Sequence, residues 1–577
     1  MRGFFSLEAA KEEMGVRQTL EECVTDAQEV YLAEHGPRSL RHIPCEAETL
    51  WAKVDHLLYL PILGLTRPRD LYYYQGGGLK SLYSFTYRYL TVEHFLGQLT
   101  RLQVGTPLAQ DLAHCYAQAW YPDQPSLYLF VDWHVKPHWT KAYSHAGHVT
   151  MWGRTLPGTK QLMLNGTNGE LLGGWNYAID AHLTHVLVDL EAQLSQTLHR
   201  EIQCTIVDGE GGGQPLAERY AEADRFYISV LPRHHDHPLA DFALEGAWHP
   251  VVDDPQRESV FARWAEPKKA AQDLRRFVLL RPVGQREPTR VYSGRFRPDT
   301  LASVVPWLHR RRWPNNERRI RDLINGANLN ANYGYTYDYV PNRTRQRRWN
   351  EAQAQVEVTE RKVSQQQEAI RNLRQQLAQL ERKHAQERAQ WMQRIVQQRA
   401  DLHRRQQSGK PTKRCHNRLT RLRQQQEEAT RRFLRRERTL WQRLVQHQAR
   451  MTHLQCQFTQ RQVVRDAIDT ETLCRERHLE KDQIMLDFQV LLGNLHDWVR
   501  QHYLAPQWKT LSLEKATQMI YRKSGRVTWY PDRIEIVLNA YAYRDQQQAM
   551  EATCRRFNEA NSQWRDGRSL HITVADP

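Results

Sequence analysis

The 577-residue chain lacks any long hydrophobic run. Its longest, LLYLPILGL at 57–65, is less than half of the ~20 residues a membrane span needs, so no membrane-spanning role is expected. The opening MRGFFSLEAAKEE has no sustained apolar stretch and turns acidic at once, which argues against a secretory signal. The eight cysteines (23, 45, 115, 204, 415, 456, 474 and 554) stand singly, without a Cys-x-x-Cys pair. That spacing excludes a zinc ribbon, disfavours a disulfide framework and fits a reducing cytoplasm. Phosphate loops are missing too. GEGGG (209–213) has Gln214 where G-x-G-x-x-G needs its last glycine, and in GRTLPGTK (153–160) the lysine follows the threonine. A dinucleotide fold and a coiled-coil ATPase both lose their signature.

What the chain does have is positive charge, unevenly placed. The formal net charge is +16, yet residues 341–460 alone carry 28 Lys and Arg against 10 Asp and Glu. The remainder is nearly balanced, at a net −2. A basic segment of this kind fits a polyanion, nucleic acid above all, or else an arginine-rich solvated helix face. From 350 to 408 there is no proline, and Val356, Val363, Ile370 and Leu377 recur every seven residues, with Leu373 and Leu380 three beyond the last two. SGKPTK (408–413) interrupts, and Phe433, Leu440, Leu444, Met451, Leu454 and Phe458 resume the a/d spacing. Two arms of about 55 residues predict an antiparallel coiled-coil hairpin roughly 80 Å long. His384 and His447 fall in its seam.

Six segments follow: a helical N-terminal domain at 1–120, with DNA binding open; an α/β core beginning at 121–232; a strand-rich insertion at 233–300; a core helix and basic linker at 301–349; the hairpin at 350–480; and a small α+β unit at 481–577. In the core, SLYLFVDWHV (126–135) reads as a buried strand carrying Asp132, followed by strands at HVTMWGRTL and KQLMLNGTNG. CTIVDGEGGG (204–213) reads as a further strand ending at Asp208, the glycines letting the chain turn sharply. WLHRRRWPNNERRIRDLINGANLN (307–330) places Glu317 near the start of an arginine-rich helix, with Asn315 or Asn316 as a cap. IMLDFQVLLGNLHDWVRQHYL (484–504) reads as an amphipathic helix. Three carboxylates brought to ~4 Å would repel by about 4 kcal/mol per pair at an effective dielectric near 20. Divalent cations would remove that penalty and activate a nucleophile at a phosphodiester.

Together, LYLFVDWHV, TIVDGEGG with FYISVLP, RRRWPNNERR and LNANYGYTYDYVPNRTRQRRW (329–349) resemble the DDE-type transposases of insertion sequences, in a subgroup of large transposases. The resemblance covers roughly 120–350. It implies a ribonuclease-H-like α/β core in which Asp132, Asp208 and Glu317 are catalytic and hold two Mg²⁺ or Mn²⁺ ions. It also implies double-stranded DNA partners (element ends and target), a homodimer, and a nucleoid-associated place in the cytoplasm. The chain also departs from that pattern. Trp133 stands where glycine follows the first Asp in the subgroup, three residues instead of two separate Trp313 from Glu317, the usual tyrosine ahead of Arg312 is missing with His309 and Arg310 nearby, and Ile324 replaces a lysine. DNA contacts are expected from Arg311, Arg312, Arg318, Arg319 and Arg321, and from Arg343, Arg345, Arg347 and Arg348 in NRTRQRR. His134 and Trp313 are accessory candidates. His134, His138, His145 and His148 cluster, though a zinc site finds no repeated spacing, His-His-Asp-His at 234–237 included. Trp133, Trp139, Trp152 and Trp175 serve as core or as base-stacking surfaces. A catalytically silent nucleic-acid-binding relative is the competing expectation.

Overall fold

The computed structural model describes residues 3–37, 47–74, 77–83, 86–139, 144–231, 239–251, 260–268 and 273–576; the 234–237 run lies outside them. The protein is mixed α/β, with a large central sheet, many helices and a long helical hairpin. It forms two compact units, one of Met1–Tyr339 with Arg475–Pro577, the other Val340–Cys474. No described helix is long and apolar enough to cross a membrane.

The sheet is built outward from β1 (Ser126–Pro137), whose Leu127, Leu129, Phe130 and Val131 are buried. Then come β2 (Ala146–Val149), β3 (Arg154–Asn165), β4 (Leu171–Ala178), β5 (Glu201–Ile206), β6 (Tyr227–Val230), β7 (Phe242–Pro250), β8 (Val260–Pro267), β9 (Arg276–Pro282) and β10 (Arg290–Arg295). Their order is β2-β3-β1-β5-β6-β10-β9-β8-β7, with β4 on β3. β1, β5 and β6 are mutually parallel, while β3 and β4 run antiparallel. The strands of the 233–300 segment continue the same sheet through β10, antiparallel to β6. The strand boundaries differ from the sequence expectation. β3 runs unbroken through Pro157 and Gly158, and LLGGWNYA, unassigned in the sequence, is β4. Its Gly173-Gly174 pair disguised it. A Cβ on Gly174 would stand 3.0 Å from Leu486, so glycine here admits a helix against the strand.

That helix, Glu480–His502, is the larger correction. Expected to be amphipathic, it is buried on nearly every side, packed on β4 and on the helices Gly105–Trp120 and Phe4–Glu13. Its polar residues deceived because each has a partner inside the protein. Gln483 donates to Gly174 O at 2.8 Å, Gln489 to Asn328 O at 2.9 Å and Asn494 to Leu171 O at 2.8 Å. Asp482 receives Lys136 Nζ at 2.7 Å, both side chains at most 1% exposed. Buried polar groups satisfied in this way cost little, so a polar stripe need not face water. The N-terminal helices, the sheet and the strands β13 (Gly525–Trp529), β14 (Arg533–Leu538) and β15 (Ser569–Val574) share one core around it; β11 (Tyr337–Pro341) and β12 (Leu473–Arg477) lie between β10 and β13 in the chain.

In the second unit, helices Arg343–Gln407 and Lys413–Asp466 pair along the hairpin. Asn342 caps the first, its side chain accepting Arg345 N–H, so NRTRQRR opens a helix instead of forming a linker. The seam holds polar layers: His384 stacks on Phe433 at 3.9 Å, and His447 bonds Gln366 at 2.7 Å. Such layers fix register at some expense of stability.

The central helix should carry much of the first unit's stability. Truncating the fully buried Leu492 to Ala is expected to cost about 2–5 kcal/mol in denaturant unfolding; a change near zero would show that this helix does not hold the core together.

Candidate active site

β1 and β5 lie side by side in parallel, with Phe130 opposite Ile206. Asp132 and Asp208 each follow two residues later. Period-two alternation therefore brings both carboxylates to one level on one face. Beyond Ile206 the chain enters a tight turn at Gly209–Gly212, where Gly211 N–H bonds Asp208 O at 2.9 Å. None of these glycines has a positive φ. The requirement is proximity: a Cβ on Gly211 would lie 2.3 Å from Val207.

Glu317 arrives from across the sheet on a helix running from Val304 to Gly326 with a π-helical turn at Trp313–Glu317. It lies mid-helix, so neither the helix dipole nor capping by Asn315 or Asn316 accounts for it. Both asparagines instead tie the helix to the sheet. Asn316, fully buried, donates to Phe130 O at 2.8 Å and Met163 O at 3.3 Å, and Asn315 donates to Thr167 O at 3.2 Å. In a regular helix, Arg312 and Glu317 would point roughly 140° apart at 3.6 residues per turn. The wider turn, closed by Arg318 N–H on Trp313 O, narrows that angle and lets the two meet. Pro314, which disfavours regular α-helical bonding, sits within it.

The three acids converge on one cation. Arg312 contacts Asp132 at 2.8 Å, Asp208 at 3.5 Å and Glu317 through a short ion pair, while its side chain is only 10% exposed. Burial pushes the Asp132 carboxyl up to about 6, with Arg312 opposing and Asp208 and Glu317 adding. Burial also raises Glu317, again against Arg312. For Arg312, burial is outweighed by the three carboxylates and its pKa rises. One guanidinium leaves two negative charges unbalanced when all three acids are ionised. Donor chemistry and charge both fit a hard divalent cation. Among the described residues, however, no three His, Cys, Asp or Glu side chains are arranged to hold a metal, and Arg312 bridges the acids in that place.

The other candidates divide clearly. His134 is buried, bonded through Nε2 to Asn330 Oδ1 at 2.8 Å and lowered by burial to about 4, hence neutral at pH 7. Arg319 is engaged internally, bonding Gly169 O at 3.0 Å and pairing with Asp497. Arg318 and Arg321 are exposed, Arg321 over the half-exposed Trp313, and Arg311 stacks on Trp307. In the hairpin unit, Arg343, Arg347 and Arg348 are exposed, and Arg345 bonds Thr472 Oγ1 at 2.9 Å. Trp175 is core, Trp133 packs on Tyr177, and Trp139 and Trp152 form an exposed pair 4.5 Å apart. His138 and His145 are buried, whereas His148 is exposed. His309 lies buried against Tyr292 with its pKa lowered by burial to about 4. Sequence reasoning missed the anchoring by Asn316. The Asn-Asn pair before an acid was the one signal available.

No family model matches the chain, and no curated protein does. Among solved structures it is similar to a chain in the cryo-EM structure of a piggyBac transposase synaptic complex with hairpin DNA. The TM-score is 0.30 and the identity 10%, over 51% of this chain and 62% of that chain, short of two thirds of the neighbour's length.

The raised carboxyl gives a signed test. A group whose folded pKa is about 6 against an ordinary 3.8 adds stability below about pH 4 and loses it as pH rises through 6. Asp132→Asn, which removes the buried charge, should therefore raise the melting temperature at pH 7.5. A gain on the order of 1–3 kcal/mol is expected, with little change at pH 4. Destabilisation at pH 7.5 would show that the Arg312 contact outweighs burial.

Proposed function

We propose that this chain is a DDE-type transposase with a ribonuclease-H-like core, cutting double-stranded DNA at element ends and joining it to a target. The observation that carries this reading is the meeting of Asp132, Asp208 and Glu317 at Arg312. The β4-β3-β1-β5-β6 order, antiparallel then parallel, also supports it.

Asp132, Asp208 and Glu317 would hold two Mg²⁺ or Mn²⁺ ions once Arg312 gives up its bridging contacts. Such ions would supply Lewis-acid stabilisation at the attacking and leaving oxygens of a phosphodiester. The residues of the chain do the positioning. Asn316 fixes the helix so that Glu317 faces the two strand carboxylates. His134, held by Asn330 and neutral at physiological pH, keeps a fixed orientation two residues from Asp132. Released Arg312, with the exposed Arg318 and Arg321, would meet backbone phosphates. The hairpin's basic arms would supply sequence-independent affinity, and a homodimer would bring two such sites to paired ends.

A second reading is favoured by one observation: the Arg312 guanidinium already neutralises part of the acid cluster by bridging all three carboxylates. On that reading the chain is a silent, transposase-derived nucleic-acid-binding protein. Two readouts separate the two. Asp132→Asn, Asp208→Asn and Glu317→Gln should each abolish Mg²⁺-dependent DNA cleavage while leaving DNA binding intact. Millimolar Mn²⁺ should raise the melting temperature of the unmodified protein at pH 7.5, but not that of Asp208→Asn or Glu317→Gln. Absent cleavage together with an unchanged melting temperature would establish the silent reading.

Deleting 350–470 is expected to weaken DNA binding and flatten its dependence on log salt, because each phosphate neutralised contributes to the slope. An unchanged slope would make the hairpin a spacer.

A further inference from the structure

Away from the acid cluster, the first unit carries a row of exposed tyrosines that neither the cleavage reading nor the core uses. Tyr335, Tyr337 and Tyr339 stand at every second position of an extended stretch, 58%, 38% and 60% exposed. Arginines lie over each ring. Arg67 and Arg477 approach Tyr335 at 5.9 and 5.6 Å, and Arg475 approaches Tyr337 at 4.1 Å and Tyr339 at 5.7 Å. The row is anchored, not loose. Tyr333 and Gly334 donate their backbone N–H groups to the buried Asp482 at 3.0 and 3.2 Å, and His478 N–H bonds Thr336 O at 3.1 Å.

Two cavities adjoin this stretch. One, of about 600 Å³, is lined by Arg67, Arg69, Tyr335 and Lys481 among others. The other, of about 290 Å³, is lined by Arg475, Arg477, His138 and His145. His138 is kept neutral by burial, lowered to about 3, so it can exchange single hydrogen bonds without charge. Within this second cavity wall, Arg477 Nη1 is buried with no hydrogen-bond partner among the described residues. A buried guanidinium N–H without an acceptor is costly and marks a place where one is expected to arrive.

We propose that this surface binds single-stranded DNA, with bases stacked on Tyr335, Tyr337 and Tyr339 and phosphates met by Arg67, Arg475 and Arg477. Every base has a π-face, so an aromatic row tolerates any sequence, and guanidinium groups between the rings match the repeat of base and phosphate. The cavity walls also carry Leu90, Glu93, Ile179, Asp338 and Glu476, so it is the row of exposed rings with guanidinium groups over them, and not the walls, that favours bases over a protein partner. A duplex is also a poorer fit, because its bases are already stacked on each other. The inference goes beyond the cleavage reading and does not require the carboxylates to be active.

The test is fluorescence anisotropy of the full chain with a labelled 20-nucleotide single strand, in excess unlabelled duplex to occupy the hairpin arms. Tyr335→Ala, Tyr337→Ala and Tyr339→Ala should each weaken binding about fivefold or more. The corresponding Phe variants should stay within twofold of the unmodified protein, as should Tyr543→Ala, an exposed tyrosine outside the row. Arg477→Gln should weaken binding and lower the salt slope. Ala variants that bind normally, or that lose single strand and duplex equally, would overturn the proposal. So would an RNA strand of the same sequence binding tighter than the DNA. Photocrosslinking of a 5-iodouracil strand to the unmodified protein gives an answer free of folding defects: adducts should map to 335–339, and adducts confined to the hairpin would refute the assignment. Asp132→Asn should leave this binding intact, so failure of the cleavage reading and failure of this one remain distinguishable.

Discussion

Three carboxylates against one buried guanidinium is the constraint on which the rest of the first unit turns. Asp132 and Asp208 come to one level because parallel strands impose it, and Glu317 joins them because its helix widens into a π turn beside the sheet. The cluster is under-neutralised by two charges when fully ionised. It therefore holds Asp132 near the edge of ionisation, and any further cation delivered there gains free energy at once. Arg312 serves as an internal counterion in this conformation. A guanidinium is suited to that task because its planar fork can face several carboxylates together, which an ammonium on a flexible stem cannot do as well.

Holding such a cluster needs a stiff support, and the support is mostly polar. Asn316 ties the helix to the carbonyls of Phe130 and Met163. Arg319 ties it to Gly169, whose φ of +94° suits glycine and whose Cβ would press on Asn315 at 2.9 Å. Along β1 from Asp132, Lys136 meets Asp482 of the central helix in a fully buried ion pair whose carboxylate also receives two backbone N–H groups. Burial would raise the Asp482 pKa, but the Lys136 charge and hydrogen bond, helped by those two N–H groups, lower it. Removing one partner of such a pair leaves an uncompensated charge, a loss of about 3–5 kcal/mol. The same pair thus serves two surfaces. It fixes the strand that carries Asp132, and it fixes the start of the tyrosine row.

How much of this could be read from the residues follows from the kind of signal each feature left. The hairpin was legible because a seven-residue repeat over two arms is a strictly local pattern, and SGKPTK marks the bend. Asp132 and Asp208 were legible because apolar runs ending in an acid are also local. β4 was not, since one of its two glycines, Gly174, makes room for Leu486 on a helix over 300 residues away in sequence, and the other, Gly173, for the Trp175 ring. The Glu480–His502 helix was misread for the same reason: its Gln, Asn and Asp side chains find partners in β1, β4 and the 328–334 segment, none of which a helical wheel can display. The π turn at Trp313–Glu317 was not legible either, because a helical wheel assumes the same angle for every residue and a π turn changes it. Arg312 was assigned to DNA on its charge alone; that it lies buried among acids depends on three segments distant in the chain.

The distribution of charge then acquires a physical meaning. Nearly all of the net positive charge belongs to the hairpin segment, where its effect on a polyanion is long-range, non-specific and screened by salt. The first unit is close to neutral overall, so its arginines act by placement: over tyrosine rings, between carboxylates, or against a cavity wall. Contacts of that kind act over a few ångströms, so they depend on where each guanidinium is held and not on the sum of charge. The two proposals divide along this line: charge dispersed along the hairpin would attract any polyanion, whereas charge fixed beside a ring would favour one whose bases are free to stack.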